Sequence, residues 1–416
     1  MSALVNMPDN VAQIINTLEK NGYEAYAVGG CVRDAMMGRT PHDWDITTSA
    51  TPQQVKALFP RTIDTGIQHG TVTIMIGKTG YEVPTYRIDG DYLDGRHPEE
   101  VIFTSNLVED LKRRDFTINA MAYNDRAGVV DEFDGMSDLN NKVIRCVREA
   151  RERFTEDALR ILRALRFSAQ LDFTISDDTC EAVKELAPTL IKISRERIQT
   201  ELDKLITSDH PGRIRLVQLF GLNKYIFEDA TSLISSDEKI YTNIVTLMKL
   251  LPGNHYLRWT SLLIFESSPG LVLKKLKFDN RTIDICSRLI DASRCTLPSD
   301  KPALRRMIVK FGKEIFDDYF FTFLYAMSDA NLYSSSKNDI RKVESMYEEI
   351  LVHNDCISMK DMAVKGSDLI SNGIDAGKKL GLILNTLFDN VLDDPALNER
   401  DILLKKAFEI NDNIRI

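Results

Sequence analysis

Hydrophobic and polar positions follow different patterns in the first third of the chain and in the rest. Before residue 140, helix-like periodicity alternates with strand-like alternation, as in the helix pattern "VAQIINTLEKNG" and the strand pattern "EAYAVGG". A further strand is predicted in "DWDITTSA", a helix in "TPQQVKALF", and a hairpin in the two alternating runs around "GKTG". From Arg145 onward, helical periodicity dominates. The pattern predicts an α+β domain followed by an all-helical region.

The helical region is itself interrupted by loop-forming segments. Breaks rich in Pro, Gly and Ser occur at "LPGNH", "ESSPG" and "TLPSDKP". The chain has 416 residues, which is more than one hydrophobic core usually supports. No repeat of fixed period is visible. We therefore expect several domains, with the helical part divided further.

Composition narrows the class of protein. Hydrophobic residues make up 43% of the chain and charged residues 28%, which is ordinary for a globular protein. The start, "MSALVNMPDN", carries no secretion signal, and the apolar stretches are too short for a membrane span, so we expect no membrane partner. Six scattered cysteines without metal-ligand spacing favour a reducing compartment. The expected localisation is cytoplasmic.

The net charge leaves the question of an RNA partner open. A charge of −9 weighs against nucleic-acid binding, because phosphates favour basic surfaces. Between residues 142 and 166, however, basic side chains outnumber acidic ones. A local basic strip on an acidic protein is therefore a candidate RNA-binding surface.

The sharpest chemical signal lies in "YAVGGCVRDAMMGRTPHDWDI". Asp43 and Asp45 are two residues apart in a predicted strand, so both carboxylates are expected on the same face. Two adjacent carboxylates repel each other unless a cation lies between them. The pair therefore predicts a metal site, and the alternative interpretation is a polar strand edge or a turn.

Other residues around this pair suggest phosphate chemistry. Gly29 and Gly30 let the backbone approach a ligand closely and offer amides to a phosphate. Arg33 follows at a predicted helix start, where it can complete an anion site. Glu82 is the candidate for a third carboxylate, although an ordinary exposed hairpin glutamate fits equally well. A phosphate cradle beside a carboxylate pair is what metal-dependent transfer from a nucleoside triphosphate requires.

Several motifs then occur in one order: "GGCVRD", "HDWDITTSATP", "LKRRDFTINAMAY", "VDEFDG", "EDALRILRALRF" and "SRERIQTEL". Together they resemble the successive motifs of the class II tRNA nucleotidyltransferase and poly(A) polymerase family. The resemblance implies an α+β head of the DNA polymerase β type, with a mixed sheet and helices, followed by an all-α neck, body and tail. We expect these parts at residues 1–140, 141–205, 206–300 and 301–416.

The resemblance also implies roles for individual residues. Asp43 and Asp45 are expected to hold Mg²⁺, and Gly30 and Arg33 to meet the phosphates of the incoming nucleotide. The other positions that match nucleotide-binding positions of the family are Arg114, Asp115, Asn119, Asp157, Arg160, Arg163 and Arg166. Asp115 and Asn119 are equally candidates for contacts to the sugar or for a structural role.

The stretch "EDALRILRALRF" offers a mechanism for choosing the base. Taken alone, it also fits a helix with acids in its first turn and a solvated basic stripe. Cytosine and adenine each present an amino donor beside an acceptor nitrogen, whereas uracil and guanine present the reverse. A carboxylate from Asp157 and the guanidinium of Arg160, one helical turn apart, match the first pattern. Arg163 and Arg166 point elsewhere and are expected to reach the triphosphate or the RNA.

Specificity within the family depends on a further segment. "RIDGDYLDGRHPEEVIF" resembles the flexible loop that full CCA-adding enzymes retain, and its residues of interest are Asp89, Tyr92, Asp94, Arg96 and Val101. An ordinary long surface connection is the alternative. The loop disfavours addition of C alone but does not separate full CCA addition from addition of A alone. A poly(A) polymerase is disfavoured because no strongly basic extension follows the helical region.

The remaining expectations concern other enzymatic activities and the RNA partner. No His-Asp pair of a phosphohydrolase occurs near "LRWTSLLIFESSPG", and His255 is expected to be structural. A non-catalytic RNA-binding protein is a remote alternative. The resemblance implies that body and tail bind the tRNA acceptor stem and TψC arm, with CTP and ATP as substrates. Candidate RNA contacts are residues 142–166, Lys274, Lys275, Lys277, Arg305, Arg306, Lys365, Lys378 and Lys379.

Overall fold

The computed structural model describes residues 5–41, 43–67, 70–90, 101–227 and 237–413. The chain divides into two compact units, one of Met1–Ile234 with Lys275–Lys277 and one of Ser235–Lys274 with Phe278–Ile416. In the described part of the chain, no helix is both long enough and apolar enough to cross a bilayer. The four-part division at residues 140, 205 and 300 stays a prediction, because the first unit includes the expected head and neck together.

The first unit holds the strands, which confirms the α+β class of the head. They are β1 Ala25–Val28, β2 Ile46–Thr48, β3 Thr62–Gly66, β4 Thr71–Ile76, β5 Thr79–Pro84, β6 Arg87–Asp89, β7 Val101–Phe103, β8 Met121–Asn124, β9 Gly128–Asp131, β10 Val143–Ile144 and β11 Thr174–Ile175. One sheet has the order β2-β1-β8-β9 and a second has the order β3-β4-β5. The pairs β6-β7 and β10-β11 complete the set.

The sheets of the head are antiparallel, rather than one mixed sheet. Every strand pair among β1–β9 runs antiparallel. The parallel element is an isolated bridge between Thr48 and Thr85, beside which the Tyr86 amide donates to the Thr48 carbonyl over 2.7 Å. This bridge joins the end of β5 to the end of β2. The two main sheets are therefore held together next to the segment that carries the paired aspartates.

The helices of this unit follow from capping and amphipathic spacing. They are α1 Asp9–Lys20, α2 Gly30–Met36, α3 Pro52–Leu58, α4 Leu107–Lys112, α5 Gly135–Asn140, α6 Ala150–Glu156, α7 Leu159–Leu171, α8 Asp177–Leu186, α9 Arg195–Ile206, α10 Arg215–Leu219 and α11 Asn223–Ile226. Helix α3 begins with a capping box between Thr51 and Gln54 and has Pro52 at its start. Helix α4 packs Leu107 and Leu111 on the buried face of β1 and β8, which fixes the segment that follows it.

The prediction of one continuous helix through "EDALRILRALRF" is wrong. Helix α6 ends at Glu156, and α7 begins at Leu159. Asp157 has an extended backbone, with φ −142° and ψ 103°, and its carboxylate accepts a hydrogen bond from the Leu159 amide over 2.9 Å. An aspartate that binds a nearby backbone amide competes with helical hydrogen bonding, and this is the physical reason for the break. Asp157 therefore lies at the corner between two helices.

The remaining helices begin after residue 237. They are α12 Glu238–Leu250, α13 His255–Leu262, α14 Pro269–Lys275, α15 Asn280–Arg294, α16 Lys301–Phe311, α17 Lys313–Ile315, α18 Phe321–Asp329, α19 Lys337–Val352, α20 Gly366–Ser371, α21 Lys378–Asp393 and α22 Arg400–Asn413. Helices α20 to α22 share a buried cluster that includes Leu369, Leu387 and Leu403. The second unit is thus helical throughout its described part, as predicted.

Two polar residues of the second unit have internal roles. His255 contacts the Thr282 hydroxyl through Nε2 over 3.2 Å and packs on the Phe278 ring, as expected of a structural histidine. Arg305 was a candidate RNA contact, and this expectation is wrong. It is 3% exposed, and it donates to the Asp355 carboxylate over 2.6 Å and to the Leu392 carbonyl over 2.7 Å. Its charge ties α16 to the ends of α19 and α21.

Candidate active site

Three carboxylates line one cavity in the first unit. Asp43, Asp45 and Glu82 all face a cavity of about 540 Å³. The parallel bridge between Thr48 and Thr85 explains this arrangement. Asp45 lies three residues before Thr48 and Glu82 three residues before Thr85, so the two parallel segments bring these acids to the same side. We call this place the carboxylate cavity, defined by these three acids. The hairpin glutamate chosen from the sequence therefore shares a cavity with the aspartate pair.

The spacing predicts that Asp43 and Asp45 lie within a strand, and this prediction is wrong. Strand β2 begins at Ile46, and both aspartates precede it. The β1–β2 ladder ends with Ala27 opposite Ile46, because β1 then enters a turn in which Gly29 has φ +81°. The Val28 amide at the end of β1 still donates to the Asp45 carbonyl over 2.9 Å, and β1 turns away beyond this bond. The carboxylates of Asp43 and Asp45 border the cavity.

The charges of the carboxylate cavity are not balanced within the protein. No hydrogen bond or ion pair of the Asp43, Asp45 or Glu82 side chains is found among the described residues. Although Asp45 keeps exposed surface, burial raises the pKa of its carboxyl, the Arg114 charge opposes this, and the neighbouring Asp43 charge adds to it. Adjacent oxygen ligands that lack an internal cation suit a hard ion such as Mg²⁺. The described chain has no cluster of three or more His, Cys, Asp or Glu side chains arranged to hold a metal, so Glu82 as a third ligand stays a prediction.

The glycine turn before α2 is covered by an arginine. A Cβ atom on Gly29 would lie 2.8 Å from Nη1 of Arg114, so this close approach requires glycine. Gly29 donates its amide to the Met121 carbonyl over 3.1 Å in this structure, and its predicted use for a phosphate stays a prediction. Gly30 opens α2, where the first amides lack helical partners. Arg114, rather than the Gly29 amide, presents donors at this turn.

Arg33 is turned inward. It is 8% exposed and donates from Nη1 to the Asn119 amide oxygen over 2.7 Å and from Nε to Asp34 over 2.9 Å. In this structure it does not face the carboxylate cavity, contrary to the expectation that it meets the phosphates directly. Asn119 links Arg33 to Asp115, because its amide nitrogen donates to the Asp115 carboxylate over 3.1 Å.

Asp115 is the centre of the next contacts. Its Oδ2 accepts two hydrogen bonds from Arg163 at 2.8 and 2.5 Å, and its Oδ1 accepts from the Phe116 amide at 2.8 Å. Burial alone would raise the pKa of Asp115, but the Arg163 charge and the hydrogen bonds from Asn119 and Arg163 outweigh it and hold the pKa well below its usual range. Arg163 is therefore bound to the segment of residues 113–119, which it joins to α7.

The two base-selecting candidates lie on one turn, and each has an internal partner. The Arg160 amide donates to the Asp157 carbonyl over 3.0 Å. The Asp157 carboxylate accepts from Arg197 over 2.8 Å, and the Arg160 guanidinium donates to Glu156 over 2.5 Å. Arg160 also donates to the Arg153 carbonyl over 3.1 Å and to the Arg113 carbonyl over 3.0 Å. The pair is thus fixed in position before any base arrives.

Arg166 is separated from the other candidates. It is 7% exposed, its Nε lies 3.3 Å from Glu201, and its guanidinium covers the Phe167 ring at 4.2 Å. In this structure the side chain is buried between α7 and α9 and pairs with Glu201, so its expected contact with the triphosphate or the RNA stays a prediction. We call the ion-paired set of Asp157, Arg160, Arg163 and Arg166 with their partners the α7 network.

Sequence reasoning missed the residues that complete this network. Arg197 and Glu201 are four residues apart on α9, so both lie on one helical face. That face supplies a base to Asp157 and an acid to Arg166. The sequence carried a signal for this. The motif "SRERIQTEL" holds Arg197 and Glu201, whose charges are opposite to those of Asp157 and Arg166 in the preceding motif.

Comparisons with known proteins agree along the chain. Family models match for the poly A polymerase head domain at residues 25–145, for an RNA and SrmB binding site of polymerase A at residues 172–234, and for tRNA nucleotidyltransferase domain 2 at residues 253–407. The CCA-adding enzyme of Leuconostoc mesenteroides is 36% identical over 413 residues, covering 96% of each chain. The chain belongs to the CCA-adding enzyme family. It is a nucleotidyltransferase.

Solved structures of this family share the architecture. The Bacillus stearothermophilus CCA-adding enzyme, in complex with CTP, is 30% identical, has a TM-score of 0.78, and is matched over 98% of this chain and 99% of that one. The Thermotoga maritima CCA-adding enzyme, complexed with tRNA, shares the fold at 21% identity with a TM-score of 0.61, over 96% of this chain and 94% of that one. The expected head and helical remainder are confirmed.

The segment that resembles the family's flexible loop is described only at its base. Asp89 and Val101 lie opposite each other in the β6–β7 pair. Asp89 forms ion pairs with Arg87 at 2.9 Å and with Arg113 at 3.8 Å. The other residues of interest, Tyr92, Asp94 and Arg96, lie outside the described residues. The base of the segment is thus tied to Arg113, which also accepts the hydrogen bond from Arg160.

The candidate RNA-binding residues differ in exposure. The predicted strip at residues 142–166 is not a continuous basic surface, since Arg153 is 8% exposed and Arg166 is 7% exposed. Of its exposed members, Arg145 pairs with Asp138 and Arg151 pairs with Glu185. The remaining exposed cations are Lys142, Arg148, Lys274, Lys277, Arg306, Lys365 and Lys378, while Lys275 and Lys379 are half-buried.

Proposed function

We propose that this chain adds C, C and A to the 3′ end of tRNA without a nucleic-acid template, using CTP, ATP and Mg²⁺. One observation carries the proposal: residues 113–119 contact both the phosphate side and the base-selecting side of the site. Asp115 binds Arg163 on α7, and the Arg113 carbonyl accepts from Arg160. The same segment places Arg114 over the glycine turn. The similarity to CCA-adding enzymes along almost the whole chain supports it.

The reaction is in-line attack of the RNA 3′-hydroxyl on the α-phosphate, with loss of pyrophosphate. Asp43 and Asp45 would hold magnesium, which when bound lowers the pKa of the attacking hydroxyl and neutralises the departing pyrophosphate. Arg114, whose Nη1 covers the glycine turn, would hold the triphosphate beside the carboxylate cavity. The chain therefore acts mainly by positioning and by charge stabilisation.

Base selection depends on hydrogen-bonding capacity that the internal contacts leave over. Each oxygen of Asp157 accepts one hydrogen bond in the structure, and a carboxylate has about four acceptor positions. Arg160 makes three donor contacts out of the five N–H groups of a guanidinium. An acceptor and a donor thus remain for the amino group and ring nitrogen of C or A. Uracil and guanine would place acceptor against acceptor and donor against donor, which disfavours them.

Product length on defined tRNAs tests the proposal. We would incubate the purified chain with tRNA that ends before the first C, and with tRNA that ends in CC, together with labelled CTP and ATP. The expected products are three residues longer on the first tRNA and one A longer on the second. Failure to incorporate either nucleotide would reject the enzyme and leave only RNA binding. Extension of the second tRNA alone would show addition of A only, and long A tracts on unrelated RNA would show a poly(A) polymerase.

The remaining proposals concern partner and compartment. The exposed lysines of the helical region are placed against the acceptor stem and TψC arm, where A-form RNA is recognised by its shape and phosphates. We place the enzyme in the cytoplasm, since its six cysteines are all free thiols. Protection of backbone phosphates in a footprint of bound tRNA tests the first of these statements.

A further inference from the structure

A fully buried carboxylate lies next to the site but was assigned no role. Asp110, on α4, is 0% exposed. A buried charge of this kind is costly unless it is paired and hydrogen-bonded. The partners of the Asp110 carboxylate therefore indicate its role.

The two oxygens of Asp110 serve different partners. Oδ1 accepts from the Arg113 guanidinium at 2.8 and 3.0 Å. Oδ2 accepts from the Thr47 hydroxyl at 3.3 Å and lies 3.7 Å from Nη2 of Arg114. One oxygen thus holds Arg113, which contacts the base of the loop segment, and the other holds Arg114 beside the glycine turn.

Arg114 depends on this contact for its position. Its side chain is 18% exposed, and its Nη1 occupies the space where a Gly29 side chain would be. Its Nε is buried and has no hydrogen-bond partner among the described residues. Asp110 is the carboxylate that forms an ion pair with it. The guanidinium is therefore anchored at Nη2, while Nη1 is the donor placed at the turn, where a ligand can reach it.

We propose that Asp110 is a positioning residue, which holds Arg114 in the orientation that binds the nucleotide triphosphate. This rests on the proposed function, because the ligand is the CTP or ATP used there. An arginine already fixed by a buried anion loses less side-chain freedom when a phosphate binds. Contacts to the triphosphate are made in the ground state and in the transition state alike. Loss of the anchor therefore raises KM and leaves kcat nearly unchanged.

A double-mutant cycle with Asp110→Asn and Arg114→Ala tests this proposal. Binding of CTP and ATP is measured by calorimetry, and kcat and KM are measured on tRNA lacking its end. We expect each single variant to weaken binding of both nucleotides about tenfold, with kcat and the KM for tRNA within about threefold of wild type. The double variant should bind no more weakly than Arg114→Ala, because the Asp110–Arg114 ion pair is already absent from that single variant. Thr47→Val is the control, since it removes a hydrogen bond to the same oxygen but keeps the charge, and its nucleotide affinity should stay near wild type.

Unchanged nucleotide affinity in Asp110→Asn, or additive effects in the double variant, would overturn the proposal. If Asp110→Asn does not fold, Asp110→Glu takes its place, because it keeps the charge but displaces the carboxylate by one methylene. Wild-type affinity in Asp110→Glu would equally reject a positioning role. A wild-type chain that binds CTP without incorporating it would overturn the proposed function, while the binding data would still decide the role of Asp110.

Discussion

The carboxylate cavity and the α7 network are both rich in charge, but only one of them is balanced by the protein. Among the described residues, the acids of the cavity have no ion pair. In the α7 network, Asp157 pairs with Arg197, Arg160 with Glu156, and Arg163 with Asp115. A cluster of acids without ion pairs needs a cation from outside the protein. The side chains of the α7 network, in contrast, are already held in position by their ion pairs.

This difference assigns the two halves of the chemistry to different places. The cavity is suited to the step that changes charge, since a bound cation completes it. The network is suited to reading a base, because its side chains are held rigidly and keep unused donors and acceptors. Variants in the two regions should therefore fail in different ways.

The largest effect is expected at the carboxylate cavity. Asp43→Asn or Asp45→Asn should lower kcat about 10³-fold or more for both CTP and ATP, because magnesium loses a ligand worth several kcal/mol in the transition state. Affinity for tRNA should change little. Incorporation of labelled nucleotide and filter binding of tRNA measure the two quantities. Asp64→Asn is the control, since Asp64 is an exposed acid of the same unit paired with Lys56, and a comparable loss of rate there would contradict the assignment.

The second effect concerns stability. Arg166→Met should lower the free energy of unfolding by about 3 kcal/mol, because it leaves Glu201 buried without its partner. Arg166→Met combined with Glu201→Leu should recover most of this loss, since both charges are then removed together. Urea unfolding of the three proteins gives the values. A single variant that keeps wild-type stability but loses nucleotide affinity would establish Arg166 as a binding residue.

The third effect is on the choice of base. Asp157→Ala or Arg160→Ala should reduce the preference for CTP over UTP about 30-fold, measured as the ratio of kcat/KM values, because one of two discriminating contacts is lost. Arg151→Ala serves as control, since Arg151 is an exposed arginine of the same region paired with Glu185. Rejection of UTP at the wild-type level in both variants would contradict the pairing mechanism.

The smallest effect is a dependence of stability on pH. The pKa of Asp115 is depressed in the folded chain, so its stabilising contribution is present above its unfolded pKa of about 4 and is lost as the pH falls through the folded pKa. Asp115→Asn should therefore be less stable than wild type at pH 7, and the difference should narrow below about pH 4 by an amount on the order of 1 kcal/mol. Urea midpoints across this range measure it. If the stability difference between wild type and Asp115→Asn became larger on acidification, this would contradict a depressed pKa of Asp115 in the folded chain.

The elements were predictable where local chemistry decides them. Pro52 and the capping residues mark α3, and the alternation around "GKTG" marks the hairpin β4–β5. The position of Glu82 near the paired aspartates was also predictable, because the sequence indicates a hairpin that follows the aspartates and carries this acid.

What could not be predicted depends on contacts between distant segments. The break at Asp157 follows from a side chain that binds a backbone amide, which competes with a helix pattern that is otherwise strong. Burial of Arg33, Arg166 and Arg305 depends on acids or carbonyl groups supplied from elsewhere in the fold. An arginine that ends in a buried ion pair has the same local sequence as one that binds a ligand.

The most direct test compares rate and base choice in one assay for Asp45→Asn and Arg160→Ala. Single-turnover rates with CTP, ATP and UTP are measured on tRNA lacking its end. The account predicts that Asp45→Asn slows the correct and incorrect nucleotides in equal proportion, whereas Arg160→Ala raises the share of U incorporated. Equal loss with every nucleotide in Arg160→Ala, or altered discrimination in Asp45→Asn, would contradict the division of labour between the two regions.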